Sequence, residues 1–226
     1  MIALNKKPRK KARRRKTKRS RQSLRFTPSA WAKLLFMRDA GPTEVGMFGI
    51  TSADDLLLIE DVAVLRQRCT AVTTAMDDDA VADFVDEQVD LGRSPQQCCR
   101  HWLHSHPGNC PLPSITDEET FSEAFDGPDW ASMFIIARGG RTYSRLKFNV
   151  GPGGSKRLRI EVDYDAPFEE SDHDLWLAEY EAAVTVIDPF REHPAAALLQ
   201  HREPVPGDTD AIDEFARWHA SEWVAS

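Results

Sequence analysis

The chain has 226 residues, 41% of them hydrophobic, which is enough to bury a sizeable core and argues for one domain with extensions. No apolar run is long enough to span a bilayer, the basic N-terminus lacks the apolar stretch of a secretory signal, and the four cysteines (Cys69, Cys98, Cys99, Cys110) form no C-x-x-C pair. Membrane, secreted and disulfide-framework classes are therefore set aside, and a reducing cytoplasm is the expected location. The net charge of -7 is unevenly divided: residues 1–25 hold 13 Lys and Arg and no acid, while the remainder holds 16 basic and 36 acidic residues.

Residues 1–25 are too charged to fold alone and are expected to be disordered. Closely spaced Lys and Arg can contact nucleic acid by releasing counterions. The tail has no interleaved aromatic residues, so a solvated tail is the preferred reading. Residues 26–38 read as a helix, with Thr27-Pro28 as N-cap and first turn and with Trp31, Leu34 and Leu35 on one face. Strands are expected at 44–50, 55–64 and 67–74, then a helix at 79–91 ended by Gly92. Residues 98–106 fit a buried strand, which makes Cys98 and Cys99 core residues. A proline-rich loop covers 107–113, and Thr116-x-x-Glu119 reads as a capping box opening a helix. Strands follow at 130–137, 141–149 and 156–164, then a helix capped by Ser171-x-x-Asp174 and running to 187. Residues 188–226 form a proline-containing extension with a short helix at 208–223. The alternation of helices and strands predicts an α/β sandwich around a mixed sheet.

One stretch carries chemistry. His104 and His106 are one residue apart on a predicted strand, so both side chains leave the same face while Ser105 leaves the other. Asp117 follows eleven residues after His106 in the first turn of the next helix. Two imidazoles and a carboxylate suit a catalytic zinc, which needs only three protein ligands. His101 falls off that face and reads as structural or exposed. Cys110 lies in the loop between the ligands; a plain loop residue is the preferred reading, and a thiol that reaches the metal is the sharper one.

Glu44, then His104-x-His106-Pro107, then Ser114-x-x-Asp117, with ten residues between His106 and Asp117 and Trp102 two before the first histidine, resembles the JAMM signature of the MPN-plus (JAB domain) zinc metalloproteases, of the bacterial deubiquitinase-like type. The resemblance spans roughly residues 26–187. It implies an MPN, cytidine-deaminase-like α/β sandwich with a mixed central sheet flanked by helices. It implies one Zn2+ per chain on His104, His106 and Asp117, Glu44 as general base and then acid toward the attacking water, and Ser114 as a donor to the oxyanion. Such proteins cleave after the C-terminus of a ubiquitin-like protein, in precursor processing or deconjugation. Expected partners are that protein and its conjugates and E1/E2-like conjugation enzymes, with residues 66–80 and 141–157 bordering the substrate groove. One departure is that Gly46 follows Glu44 at the second rather than the third position.

The alternative is a non-catalytic MPN scaffold or binding module, against which stands the complete ligand set. A nucleobase deaminase needs H-x-E and P-C-x-x-C, and a helical zinc protease needs H-E-x-x-H. Neither pattern is present.

Overall fold

The computed structural model describes residues 23–188. The chain divides into two units, residues 1–185 and 186–226, and the fold is that of the first. Residues 1–22 and 189–226, including the helix expected at 208–223, lie outside the described residues.

The last residues assigned to the basic tail belong to the fold. Ser23–Phe26 is β1, with Leu24 and Phe26 fully buried. The intervening Arg25 is neutralised by Asp163, 2.7 Å away, and by Asp55. A composition window that counts Arg25 with the tail misses this alternation. Helix α1 (Pro28–Asp39) is capped by Thr27, whose hydroxyl accepts from Ala30 N–H at 3.1 Å. It is followed by β2 (Gly46–Thr51) and β3 (Leu58–Ala63). The strand expected at 67–74 is instead a hairpin of β4 (Gln67–Cys69) and β5 (Thr74–Met76), because Thr70 and Thr73 close a turn.

Helix α2 (Asp78–Asp90) ends where Gly92 adopts φ +80°, a conformation that glycine accepts freely. Cys98 then lies in a short helix α3 (Pro95–Cys98) and not in a strand; Ser94 and Gln97 form its capping box and Pro95 its first turn. The strand β6 starts later, at His101–His106. Helix α4 (Ile115–Ala124) crosses to β7 (Trp130–Ala137), which runs parallel to β6. The chain continues through β8 (Thr142–Phe148), β9 (Gly154–Arg157), β10 (Arg159–Val162), α5 (His173–Ala183) and β11 (Val184–Val186). The cap of α5 is Asp172 and not Ser171.

Among the described residues, eight strands form one mixed sheet in the order β10-β1-β3-β2-β6-β7-β8-β9. The single strand expected at 156–164 is therefore two strands on opposite edges, separated by Leu158 alone. The sheet must curl until its edges meet, and Leu158 N–H donates to Ser144 O of β8 at 3.1 Å where they do. Helices α1 and α5 cover one face over a core that includes Leu34, Met47, Leu103, Phe134 and Trp176. On the other face α2, α3 and α4 pack over Phe48, Trp102, Phe121, Met133 and Ile135. The period of two in β6 sends Leu103 to the first core and Trp102 to the second. The result is a mixed α/β fold with a central mixed sheet flanked by helices.

Candidate metal centre

The site forms at the carboxyl end of β6, where the chain enters the parallel β6–α4–β7 crossover. In α/β sheets this crevice is a common place for ligands. His104 and His106 project from the same face of β6 as Trp102. His104 is fully buried, and its ring lies 4.5 Å from that of Trp102, which packs in turn on Phe121 and Phe125. His106 is half-buried at the strand's end. Its Nδ1 lies 2.9 Å from the carbonyl oxygen of Cys110, so Nδ1 carries the proton and donates it, leaving Nε2 bare toward the cleft.

Asp117 reaches the same cleft from α4. Ser114 caps that helix: its Oγ accepts from Asp117 N–H at 3.1 Å, and Asp117 Oδ2 accepts from Ser114 N–H at 2.7 Å and from Ser114 Oγ–H at 2.8 Å. The capping box is thus Ser114–Asp117, two residues earlier than the Thr116–Glu119 pair expected from sequence. It fixes the carboxylate beside the histidines, with Oδ1 3.2 Å from His104 Nε2 and Oδ2 3.4 Å from His106 Nε2. One ligand atom from each of His104, His106 and Asp117 lies within 4.8 Å of the others, the group among the described residues that could hold a metal ion.

Glu44 comes from the segment leading into β2, which is antiparallel to β6 with Gly46 opposite His104. Val45 N–H donates to Ser105 Oγ and Ser105 N–H donates to Val45 O, both at 3.0 Å. Ser105, on the far face between the two histidines, therefore ties Glu44 to their register. The buried Glu44 carboxylate has Oε1 3.6 Å from His106 Nε2.

The electrostatics follow from burial. Desolvation pushes Glu44 up to about 8, against the pull of His106 and with some help from Asp117. Burial also disfavours the charged form of Asp117, but the His104 and His106 imidazoles outweigh it and hold this carboxyl far below its usual range. Burial lowers His104 despite Asp117. His106 is less buried, and although that burial also pulls it down, Asp117, the Cys110 carbonyl and Glu44 together raise it. Both ring nitrogens of His104, Nε2 of His106 and Oε2 of Glu44 are buried without a hydrogen-bond partner. Orphaned buried polar atoms are costly, and of these the two Nε2 atoms face the Asp117 carboxylate across one cleft, where a cation would satisfy them. The residues fit zinc in type, number and burial.

The structure thus brings together Glu44, His104, His106, Ser114 and Asp117. His101 lies on the opposite face, fully buried, with Nδ1 2.5 Å from Ser132 Oγ and Nε2 2.7 Å from Leu56 O. Cys110 enters the site through its carbonyl, while the residue itself is exposed and outside the metal-holding group. Sequence reasoning missed Ser105 and the Cys110 carbonyl. A backbone acceptor leaves no trace in residue type, and Ser105 could be found only by asking what occupies the far face of the strand.

The fold and site define a mixed α/β protein with two histidines and an aspartate at the end of a central strand and a buried glutamate beside them. No protein-family model matches the sequence, and no curated protein matches it. Among solved structures, the chain is similar to a JAB1/MPN domain protein from Archaeoglobus fulgidus at 14% identity and TM-score 0.34, over 62% of this chain and 98% of that one. It is also similar, at 13% identity and TM-score 0.32 over 62% and 98%, to a structure described as JAMM, a metalloprotease-like zinc site in the proteasome and signalosome. What the site can do rests on its own geometry.

Proposed function

We propose that this chain is a zinc-dependent peptidase or isopeptidase of the JAMM type on an MPN fold, cleaving after the C-terminus of a ubiquitin-like protein. The observation that carries the reading is the convergence of His104, His106 and Asp117 within 4.8 Å, with Glu44 Oε1 3.6 Å from His106 Nε2. The sequence order of these residues, with Ser114 three before Asp117, supports the substrate class by resemblance.

One zinc ion per chain would be held by His104, His106 and Asp117. When bound, zinc supplies a Lewis acid that polarises a carbonyl and makes water more acidic. Glu44 accepts the proton of the attacking water and passes it to the leaving amine. Its buried carboxyl, raised to about 8, is suited to carrying a proton near neutral pH. A cation in the cleft would draw that value back down. Ser114 donates to the oxyanion by turning its hydroxyl hydrogen away from Asp117 Oδ2. The partners in this reading are the ubiquitin-like protein, its conjugates and the enzymes of its conjugation. In this reading the setting is cytoplasmic.

The test is cleavage of ubiquitin and ubiquitin-like fusions by wild type and Glu44→Gln, with zinc measured on both. Wild type is expected to cleave, and Glu44→Gln to keep its zinc while losing roughly 10²–10⁴-fold in rate. Folded, zinc-loaded wild type that cleaves no such fusion would overturn the peptidase reading in favour of a scaffold.

A further inference from the structure

We propose that Gln67 is a positioning residue for Glu44: its side-chain amide replaces a missing peptide of the β-ladder and clamps the segment 44–46 against the β4–β5 hairpin. The inference rests on Glu44 as the proton carrier.

The Glu44 carboxylate has no hydrogen bond of its own. Its Oε2 has no partner, and Oε1 only approaches His106 at 3.6 Å. Where it sits is therefore set by its backbone. On one side that backbone is tied to β6 through Val45 and Ser105. On the other side the pairing of β2 with β3 begins at Phe48, opposite Ala63, so Gly46 has no strand neighbour there.

The Gln67 amide fills that place. Gly46 N–H donates to Gln67 Oε1 at 2.8 Å, and Gln67 Nε2 donates to Gly46 O at 2.8 Å, the two bonds that a facing residue of a strand would make. The amide cannot flip. Thr74 Oγ1 at 2.7 Å and Cys69 Sγ at 3.2 Å also donate to Oε1, and Leu65 O accepts from Nε2 at 2.9 Å. Gln67 is almost wholly buried and all of its hydrogen-bonding capacity toward the hairpin and β2 is used.

Gly46 completes the fit. A Cβ there would stand 2.8 Å from Met76 Cε, 3.0 Å from Thr74 Oγ1 and 3.3 Å from Gln67 Oε1. The absence of a side chain lets the amide come this close. Two residues earlier, Glu44 N–H donates to Thr70 O in the hairpin turn at 2.9 Å. The hairpin thus grips the segment at Glu44 through its turn and at Gly46 through Gln67.

The test uses the full chain carrying Gln67→Met, which keeps the length and removes the amide. Zinc content should be unchanged, since no proposed ligand is touched. With the fusion that wild type cleaves, kcat should fall on the order of 10–100-fold while KM stays within about twofold, as expected for a displaced catalytic group. In a Glu44→Gln background Gln67→Met should cause no further loss. Amide exchange at Glu44, whose N–H bonds Thr70 and not Gln67, should quicken about tenfold or more as the segment loosens. Thr74→Val, which removes one donor to Oε1 and keeps the shape, should move both readouts the same way by less, and stands in if Gln67→Met does not fold.

Unchanged exchange at Glu44, full kcat with only a lower melting temperature, or multiplicative losses in the double variant would each overturn the proposal. If wild type cleaves nothing, the proton-carrier reading of Glu44 fails. The exchange measurement still decides separately whether Gln67 clamps the segment.

Discussion

The Ser114 hydroxyl makes two bonds to Asp117 at once. As N-cap it accepts from Asp117 N–H, and it donates to Asp117 Oδ2 at 2.8 Å. Ser114→Ala should cost about 1 kcal/mol of stability through the lost cap. It should also weaken zinc binding roughly 10–100-fold, because Asp117 loses a partner that orients it. Chelator competition reads the second effect, and an unchanged zinc affinity would mean that the rest of the cap alone holds Asp117. The ligand residues were legible in the sequence through one simple period and one resemblance. A strand repeats every two residues, which aligns His104 with His106, while Ser114 and Asp117 were legible through the resemblance, their shared capping box having been expected two residues later at Thr116–Glu119. What holds them was not legible: the Cys110 carbonyl is a backbone group, and the Ser105 hydroxyl and the Gln67 amide act on backbone groups distant in sequence.

At the scale of elements, β2 is a glycine-bearing strand pressed between two neighbours. A Cβ on Gly49 would lie 2.6 Å from Ile59 Cδ1 and 3.0 Å from His101 Cβ. Gly49→Ala should therefore destabilise by about 1–3 kcal/mol, measured by urea unfolding. A loss under about 0.5 kcal/mol would show that β3 and β6 yield easily. Of the longer elements, helices α1 and α2 were readable because apolar residues recur at helical spacing, and β7 because a nearly continuous apolar run marks a strand buried on both faces. The short ones were not. Helix α3 is a single turn whose Ser94-x-x-Gln97 capping box lay at the head of an apparent strand. The hairpin β4–β5 hides its turn in Thr70 and Thr73, where no glycine or proline marks it. The break between β9 and β10 turns on one buried residue, Leu158, and its meaning is global: the two halves join opposite edges of the sheet.

For the whole molecule, stability should depend on acid in a way that one histidine sets in part. Burial pushes His101 down to about 4, against the opposing pull of the Leu56 carbonyl. The unfolded chain titrates this group near its ordinary value of 6.5, so between 6.5 and 4 the unfolded state binds the extra proton. The contribution is fully present above 6.5 and is lost as pH falls toward 4, by on the order of 3 kcal/mol. Urea midpoints from pH 8 to 4.5 should show the decline, and His101→Gln should make it shallower; an equal slope in both proteins would place the cause elsewhere. Mixed α/β architecture was legible from the order of elements, while the curl of the sheet was not, since it depends on which edges meet. The most direct measurement on this molecule is the zinc content of the purified full chain, beside His104→Ala and Asp117→Ala. One zinc per wild-type chain, lost in both folded variants, is the expected result. Folded wild type that takes up no zinc when supplied with it would contradict the metal centre, and with it the proposed chemistry.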